Sequence, residues 1–269
     1  MESTGRVMTQ APQQPKGDPD DKEFMTTLAK GLAVLRAFGR QRPTMTLSEA
    51  AQVADLSRAT ARRVLRTLTQ LGYVEQDGRS FSLSPRILDL GFAYLSTQSW
   101  IDRALPLMRE LSERLGETCS AAILEGNDIV YVARVPARRI MSTALSVGSR
   151  LPALHTALGR VLLGYLDEAE LWRRLKSQRI EAYTPQTITD LQALFDRIRA
   201  DRAQRFSIVD EELEHGLRAL AAPVLDRSGQ AVGAINLSTH ATRTTRNEMR
   251  DRFLVELNRL SAQVSSIMV

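Results

Sequence analysis

Residues Leu47–Leu83 read LSEAAQVADLSRATARRVLRTLTQLGYVEQDGRSFSL, a stretch that predicts two helices joined by a turn and then a hairpin. Thr46 and Glu49 have the spacing of a capping box, in which each side chain satisfies a backbone donor of the other at a helix start. The first helix is therefore predicted to begin near Leu47. Ser57 is suited to cap the second helix, because its hydroxyl can accept from a first-turn N–H.

The second helix is predicted over Arg58–Leu71. Arg58, Arg62 and Arg66 repeat every four residues on a face that carries no acid. Like charges at this spacing repel each other, so the face fits a partner that supplies negative charge, as DNA phosphates do. The alternative is an ordinary basic surface helix. The apolar residues form a separate stripe: Ala61, Val64, Leu65, Leu68 and Leu71.

The hairpin completes a winged helix-turn-helix pattern. Its strands are predicted at Tyr73–Glu75 and Ser80–Leu83, with Asp77-Gly78 in the turn and Arg79 at the wing tip. Such a domain places the second helix in the major groove. The predicted DNA-binding residues are Ser57, Arg58, Thr60, Arg62, Arg63, Arg66 and Arg79.

Charge is concentrated in the same part of the chain. Residues 24–96 contain ten Lys or Arg and five Asp or Glu, an excess of +5 that equals the net charge of all 269 residues. A localised excess is better evidence for a nucleic-acid face than a high overall pI.

Length and composition favour two domains. A helix is predicted over Leu28–Phe38, packed under the helix pair, and Ser84-Pro85 is suited to start another. Since that helix is apolar on several sides, it is predicted to link the domains and to help form a dimer interface. The expected organisation is a disordered tail (1–23), a winged helix-turn-helix domain (24–83), a linker helix (84–98) and an effector-binding domain (99–269).

The carboxy-terminal part reads as helices and strands of one mixed sheet, which makes the chain α+β. Helices are predicted at Ile101–Leu115, Thr156–Tyr165, Glu168–Leu175, Asp190–Arg205 and Thr245–Ile267. Strands are predicted at Thr118–Leu124, Ile129–Val135, Met141–Val147, Phe206–Asp210, Leu217–Leu225 and Ala231–Ser238.

Catalytic chemistry is not expected. His155, His215 and His240 lie far apart in sequence, and Cys119 lacks a neighbouring base. Glu212 and His215 have a spacing that can bind metal on a helix, but a surface role is expected because no second copy is present. No catalytic residue, metal site or cofactor is therefore predicted; the alternative is a metabolic enzyme with a DNA-binding head.

Several motifs resemble the IclR family of bacterial transcription regulators. They are Gly148-Ser149-Arg150-Leu151-Pro152, Thr156-Ala157-Leu158-Gly159-Arg160, Asp210-Glu211-Glu212, Gly216-Leu217-Arg218 and Ala221-Ala222-Pro223-Val224. The resemblance covers Met25 to the carboxy terminus and implies a GAF-like effector domain. Further stretches resemble the PcaR/PcaU/PobR branch, which responds to aromatic acids or β-ketoadipate: residues 57–63, 129–136, 138–141 and 237–241.

The resemblance implies an effector cavity that is apolar with a few polar ends. Its residues would be Ile140, Thr143, Leu151, His155, Ala157, Leu158, Val209, Leu217, Ala219, Asn236 and Ser238. For a carboxylate effector, backbone donors near His155-Thr156 could form an anion site, with charge from an arginine at 134, 138, 139 or 150. The stretch Pro152–Thr156 departs from the family's commoner order.

The expected partners are double-stranded DNA with a palindromic operator, a small organic acid and further copies of the chain in a homodimer or homotetramer. The acid is expected to be an aromatic or a β-ketoadipate pathway intermediate; the alternatives are a short oxo acid such as pyruvate or glyoxylate, or another aromatic. No signal peptide, long apolar run or cysteine pair is present. A bacterial cytoplasmic protein at the nucleoid, without a membrane partner, is therefore expected.

Overall fold

The computed structural model describes residues 22–137 and 145–266. Within this part the chain forms two compact units. The amino-terminal unit comprises residues 22–97, and the carboxy-terminal unit comprises the described residues from Gln98 onward. No helix in the described ranges is long and apolar enough to cross a membrane.

The amino-terminal unit contains four helices and a three-stranded antiparallel sheet in the order β1-β3-β2. Its small core includes Val34 from the first helix, Leu65 from the third and Met45 from the first strand. The elements are α1 (Thr26–Ala37), β1 (Thr44–Thr46), α2 (Leu47–Val53), α3 (Arg58–Gln70), β2 (Val74–Asp77), β3 (Ser80–Leu83) and α4 (Ile87–Ser96).

Side-chain caps position the helix pair. Glu49 Oε2 accepts from Thr46 N at 2.7 Å, and Thr46 Oγ1 accepts from Glu49 N at 3.3 Å, which confirms the predicted capping box. Ser57 Oγ accepts from Thr60 N at 3.2 Å and confirms the cap of the second helix. These three bonds satisfy backbone donors at the two helix starts, so α2 and α3 begin at defined residues.

Three details of this unit differ from the prediction. Leu28, Leu32 and Leu71 are 59%, 40% and 53% exposed, because α1 buries its Val34 face and α3 ends before Leu71. Strand β1 was not predicted. The wing turn is Gly78-Arg79, since Asp77 still pairs with Ser80 in the ladder.

Helix α4 follows the wing and leaves its apolar side chains uncovered in the single chain. Leu88, Leu90, Phe92 and Tyr94 are between 46% and 71% exposed, and α4 has no buried residue. Contiguous apolar surface of this kind is typical of an interface with another molecule.

The start of α4 is tied to the end of α3. Arg86 Nη1 donates to Leu71 O at 3.1 Å, and its guanidinium lies over the Tyr73 ring at 5.8 Å. Ser84 Oγ donates to Gly72 O and accepts from Arg86 N. The direction in which α4 leaves is therefore coupled to α3.

A six-stranded sheet in the order β6-β5-β4-β9-β8-β7 forms the centre of the carboxy-terminal unit. Helices α5 and α10 pack on one face and α6 on the other. The elements are α5 (Ser99–Leu115), β4 (Thr118–Glu125), β5 (Asp128–Val135), β6 (Arg150–Pro152), α6 (Ala157–Leu163), α7 (Glu168–Lys176), α8 (Leu191–Gln204), β7 (Ser207–Asp210), β8 (Leu217–Leu225), β9 (Ala231–His240), α9 (Arg246–Glu248) and α10 (Leu254–Ser266).

Most of the predicted elements of this unit are confirmed, with three corrections. Every described strand pairing is antiparallel, so the sheet is not mixed in direction. The strand expected at Met141–Val147 is wrong over residues 145–147, which are irregular, and residues 141–144 lie outside the described residues. The strand that follows β5 in the described chain is β6, at Arg150–Pro152. The final helix is interrupted by a π-helical segment, Met249–Phe253.

A 3₁₀ turn at Ala153–His155 leads into α6, and the two lie in very close contact at Gly159. A Cβ atom on Gly159 would lie 2.1 Å from the carbonyl oxygen of Ala153 and 2.4 Å from its Cα atom. Both atoms belong to the backbone, so a side chain could not be accommodated without moving the turn. Gly159 therefore allows the turn to fold against α6.

We expect Gly159→Ala to destabilise the carboxy-terminal unit by about 3 kcal/mol or more, because overpacking against backbone leaves no side chain that can rotate away. Thermal unfolding followed by circular dichroism measures this. Gly91→Ala is the control: Gly91 lies within α4 with open space around its Cβ position, so alanine should stabilise its helix by roughly 0.5–1 kcal/mol. Equal melting of Gly159→Ala and wild type would contradict the steric argument.

Candidate functional site

The first candidate site is a groove between α3 and the wing. Arg58, Arg62 and Arg66 reach it from successive turns of α3, and Arg79 reaches it from the wing turn. The lining is Thr46, Leu47, Ser48, Arg58, Arg62, Arg66, Thr69, Gln70, Gln76, Gly78, Arg79 and Phe81. None of these residues is acidic, so the groove presents four positive charges with polar side chains between them.

Two of the predicted DNA-binding groups lie at the amino-terminal end of α3. The hydroxyls of Ser57 and Thr60 are 2.9 Å apart at the helix start. Arg63 is exposed on α3 but is not among the residues that line the groove. A helix start and a surface of arginines suit phosphates and base edges, because backbone N–H and guanidinium groups donate to anionic phosphate oxygens and guanidinium groups also donate to neutral acceptors on the bases.

The second candidate site is a cavity of about 350 Å³ in the carboxy-terminal unit. Eight of the predicted effector residues line it: Leu151, His155, Ala157, Val209, Leu217, Ala219, Asn236 and Ser238. Leu158 lies in the hydrophobic core and is not part of the lining. Ile140 and Thr143 lie outside the described residues.

Sequence patterns missed part of the cavity wall. Glu181, Ala182 and Tyr183 come from the connection between α7 and α8, which has no periodic pattern. Tyr131 lies on β5, whose apolar residues look the same whether they face core or cavity, and Leu213 lies in the loop between β7 and β8. The other lining residues that were not predicted are Leu145, Pro152 and Glu214.

The structure distinguishes between the arginines that were candidates to pair with an effector carboxylate. Arg134 lines the cavity, and burial lowers the pKa of its guanidinium. Arg150 is instead paired with Glu125 and lies 3.6 Å from Asp128 at the edge of the sheet. Arg138 and Arg139 lie outside the described residues. Arg134 is therefore the described arginine from this group that can meet a ligand.

His155 and Asn236 bring unpaired polar atoms to the cavity. His155 is 3% exposed, and its ring meets Tyr183 edge to face at 5.2 Å. Burial, with a smaller effect of the Arg160 charge, lowers the pKa of His155 to about 4, so the ring is neutral at pH 7. Within the described chain His155 Nδ1 and Asn236 Oδ1 are buried and make no hydrogen bond. Buried polar groups are nearly always paired, so these atoms fit a site that a ligand completes.

Glu212 corrects the prediction of a surface role. It is 7% exposed and forms a two-point ion pair with Arg160, which is fully buried. Arg160 Nη1 donates to Glu212 Oε1 at 2.7 Å, and Arg160 Nε donates to Leu154 O at 2.9 Å. His215 is exposed, so the two residues do not form a common site.

The loop between β7 and β8, which carries Glu212, is also hydrogen-bonded to the connection between α7 and α8. Thr184 Oγ1 donates to Glu211 O at 2.6 Å, and Thr187 Oγ1 donates to Glu212 O at 2.6 Å. The wall residues near 181–183 and 213–214 are therefore held against each other by these hydrogen bonds, while the ion pair joins the Glu212 loop to α6.

One backbone N–H at the anion site expected at the start of α6 already donates to a side chain of the protein. Thr156 Oγ1 accepts from Gly159 N at 3.0 Å and caps the helix. No group of three or more His, Cys, Asp or Glu side chains in the described ranges could hold a metal ion. Cys119 is fully buried, and desolvation raises its thiol pKa, which disfavours the reactive thiolate.

Two family models match the chain. The model for the IclR helix-turn-helix domain matches residues 27–78, and the model for the bacterial transcriptional regulator IclR C-terminal domain matches residues 92–266. The chain belongs to the IclR family. As an IclR-family protein it is a DNA-binding transcriptional regulator and not an enzyme.

Relatives of this IclR-family chain include the Pca regulon regulatory protein of Pseudomonas putida, 45% identical over 239 residues that cover 88% of this chain and 81% of the relative. A crystal structure of a Rhodococcus sp. RHA1 transcriptional regulator superposes with a TM-score of 0.82 at 42% identity, covering 91% and 98% of the two chains. The Acinetobacter PobR inducer-binding domain, a double mutant in complex with 3-hydroxybenzoic acid, gives a TM-score of 0.59 at 28% identity, covering 61% and 97%.

Because the folded protein keeps His155 neutral, we expect the free energy of unfolding to decrease as the pH is lowered. The folded pKa of about 4 lies below the usual 6.5, so between these values the unfolded chain binds a proton that the folded chain excludes, and stability is lost as pH falls. From pH 7.5 to pH 5 the loss should be about 2 kcal/mol. His155→Gln should remove this component.

Urea unfolding measures this component, with the fluorescence of Trp100 and Trp172 reporting on the carboxy-terminal unit because these are the two tryptophans. His215→Gln is the matched control, since His215 is exposed. If His155→Gln and wild type lose equal stability between the two pH values, the histidine is not the titrating group.

Proposed function

We propose that this regulator binds operator DNA through α3 and the wing, and that a small organic acid in the cavity controls that binding. The observation that carries the proposal is the pairing of an acid-free arginine groove in one unit with a ligand-sized cavity in the other. In this division residues 24–83 bind DNA, 84–98 link, and 99–269 bind the effector.

At the DNA, Arg58, Arg62, Arg63 and Arg66 would meet phosphates and base edges from the major groove. Ser57 and Thr60 would contact the site at the start of the helix, and Arg79 would contact the flanking backbone or minor groove. The absence of acids from the described lining supports this role, because every phosphate contact then replaces a counterion without competing with an internal ion pair.

The effector is proposed to be an aromatic acid or a β-ketoadipate pathway intermediate. Support comes from a cavity with apolar walls and a few polar groups, and from 3-hydroxybenzoic acid in the related PobR inducer-binding domain. A short oxo acid such as pyruvate or glyoxylate is the alternative, and it would leave much of about 350 Å³ unfilled.

Two copies are proposed to associate through α4, as a homodimer or a dimer of dimers. The exposed Leu88, Leu90, Phe92 and Tyr94 support this, because a second copy would remove them from water. A two-fold assembly would match a palindromic operator, whose half-sites are read by equivalent helices.

The effector would act only through its different affinity for two arrangements of the dimer. A typical coupling of about 1–3 kcal/mol would change operator affinity by roughly 5- to 150-fold. The bonds from Arg86 and Ser84 to the end of α3 support α4 as the element that carries the change. Because its target is the bacterial chromosome, we propose a cytoplasmic location at the nucleoid.

We expect Arg62→Ala to weaken operator binding by about tenfold and to leave effector binding unchanged. The slope of log affinity against log salt concentration should become smaller in magnitude by about one. Fluorescence anisotropy on DNA from upstream of its own gene measures this, with and without 4-hydroxybenzoate, protocatechuate, β-ketoadipate, pyruvate and glyoxylate. Arg227→Ala, on an exposed turn of the other unit, is the control for loss of one charge. Equal loss of DNA and effector binding in Arg62→Ala would contradict the division of roles.

We expect Phe92→Ser to weaken self-association, because Phe92 is the most exposed apolar side chain of α4 at 71%. Sedimentation velocity over a concentration series should show a higher dimer dissociation constant than wild type. Val255→Ser removes an exposed apolar side chain from α10 and is the control. An unchanged constant for Phe92→Ser would exclude α4 from the interface.

A further inference from the structure

Residues 177–190, between α7 and α8, form a strap without helix or strand along one side of the cavity. Glu181, Ala182 and Tyr183 of this strap line the cavity. Among the described lining residues, Glu181 and Ala182 are exposed, whereas the others are buried or half-buried. In the described chain the cavity wall therefore meets solvent at the strap.

The loop between β7 and β8, residues 211–216, forms the neighbouring part of the wall and is anchored to the body of the unit. Glu212 of this loop pairs with the buried Arg160 of α6. Gly216 N donates to Glu211 Oε2 at 2.8 Å, which closes the loop on itself. Because the loop is fixed in these two ways, the strap is the side of this wall that can move.

Two threonine hydroxyls fasten the strap to the loop. Thr184 Oγ1 donates to Glu211 O and Thr187 Oγ1 donates to Glu212 O, both at 2.6 Å. The two threonines are 7% and 9% exposed, so their bonds are shielded from water. A further bond, from Ile188 N to Glu212 Oε2, is long at 3.5 Å. Within the described chain no backbone–backbone hydrogen bond joins the strap to the loop.

Each hydroxyl also orders the strap itself. Thr187 Oγ1 accepts from Tyr183 N at 3.1 Å and from Thr184 N at 2.9 Å. Thr184 Oγ1 accepts from Gln186 N at 3.1 Å. A hydroxyl can donate once and accept at the same time, so the same two atoms support the turn in the strap and its attachment to the loop.

Apolar contacts hold the two ends of this part of the strap. Ile180 and Ile188 are partly buried and pack against the hydrophobic core. Between them, the ring of Tyr183 contacts His155 edge to face at 5.2 Å. Single hydrogen bonds contribute little net stability, and a segment held by few of them can open without unfolding the rest. Residues 181–187 are therefore able to lift while the ends of the strap stay in place.

We infer that residues 181–187 are a gate to the effector cavity and that Thr184 and Thr187 are its latch. Breaking the two hydroxyl bonds opens the wall where it meets solvent, and remaking them retains a ligand. The latch makes the same bonds with and without a ligand, so it slows entry and exit alike and changes affinity little. Both threonines are positioning residues, because they hold the wall and do not touch the ligand. The inference rests on the proposed function, which assigns the effector to this cavity.

A cysteine in the cavity wall of the full-length protein measures opening without any ligand. Ala157→Cys places a thiol at a lining position that is 1% exposed, so iodoacetamide reaches it only when the cavity opens. Cys119, the one native cysteine, is fully buried in the sheet and reports on wider unfolding of the unit. Mass spectrometry of the two peptides gives both labelling rates in one sample.

In the Ala157→Cys background, we expect Thr184→Val or Thr187→Val to speed labelling at position 157 about fivefold, since each removes one hydrogen bond across the wall. The double variant should be faster than either, and the rate at Cys119 should not change. Thr184→Ser and Thr187→Ser keep the hydroxyl and should label at the wild-type rate. Thr189→Val, which replaces an exposed threonine of the strap, is the matched control.

Two results would overturn the gate. One is a folded double variant that labels position 157 at the wild-type rate, because access would then lie elsewhere. The other is equal acceleration at Cys119, because valine would then have loosened the whole unit. An unchanged thermal transition shows that a variant is folded. If Ala157→Cys does not fold, Ser238→Cys replaces it, since Ser238 also lines the cavity.

Ligands separate failure of the gate from failure of the proposed function. The probes are 4-hydroxybenzoate, protocatechuate, β-ketoadipate, pyruvate and glyoxylate, and one that occupies the cavity should protect position 157 from labelling. In the valine variants it should dissociate about fivefold faster by stopped-flow tryptophan fluorescence, with a dissociation constant within about threefold of wild type. Protection with unchanged dissociation rates would overturn the gate and keep the proposed function. Faster labelling in the valine variants without protection by any acid would keep the gate and overturn the proposed effector control.

Discussion

The buried ion pair between Arg160 and Glu212 is the constraint on which the cavity depends. Removing two charges from water costs several kcal/mol, and only close two-point contact with further hydrogen bonds offsets it. Arg160 meets this condition by donating to both Glu212 oxygens and to Leu154 O. One guanidinium thereby fixes α6, the turn before it and the loop after β7, which together form much of the wall.

The same residue type has opposite environments in the two units. In the carboxy-terminal unit many arginines are neutralised internally, as Arg160 is by Glu212 and Arg218 by Asp210. On α3 the groove arginines have no acid in the described lining. A charge that is already paired contributes to the fold, whereas an uncompensated charge is available to a partner. This difference allows one chain to combine internally neutralised arginines in one unit with a surface suited to a polyanion in the other.

Local chemistry made most elements predictable. Capping by Thr46 and Ser57, the arginine repeat and the wing hairpin depend on residues a few positions apart, and the structure contains them, with the hairpin turn shifted by one residue. The errors arose where distant contacts decide the outcome. The surface role expected for Glu212 is wrong because Arg160, the partner with which it is buried, lies 52 residues away and no local pattern connects the two. The exposure of Leu28 and Leu32, the location of β6 and the wall at 181–183 likewise depend on packing that no local pattern encodes.

Among the described residues, the two outer strands of the sheet bear on how copies of the chain can associate. Strand β6 has three residues and includes Pro152, and β7 has four. Open sheet edges invite other chains to add strands, and proteins avoid this with short edges and proline. Another copy could continue this sheet for only a few residues before its ladder ended. The described sheet edges therefore disfavour edge-to-edge growth into filaments, and the helix surfaces are better suited to a closed assembly.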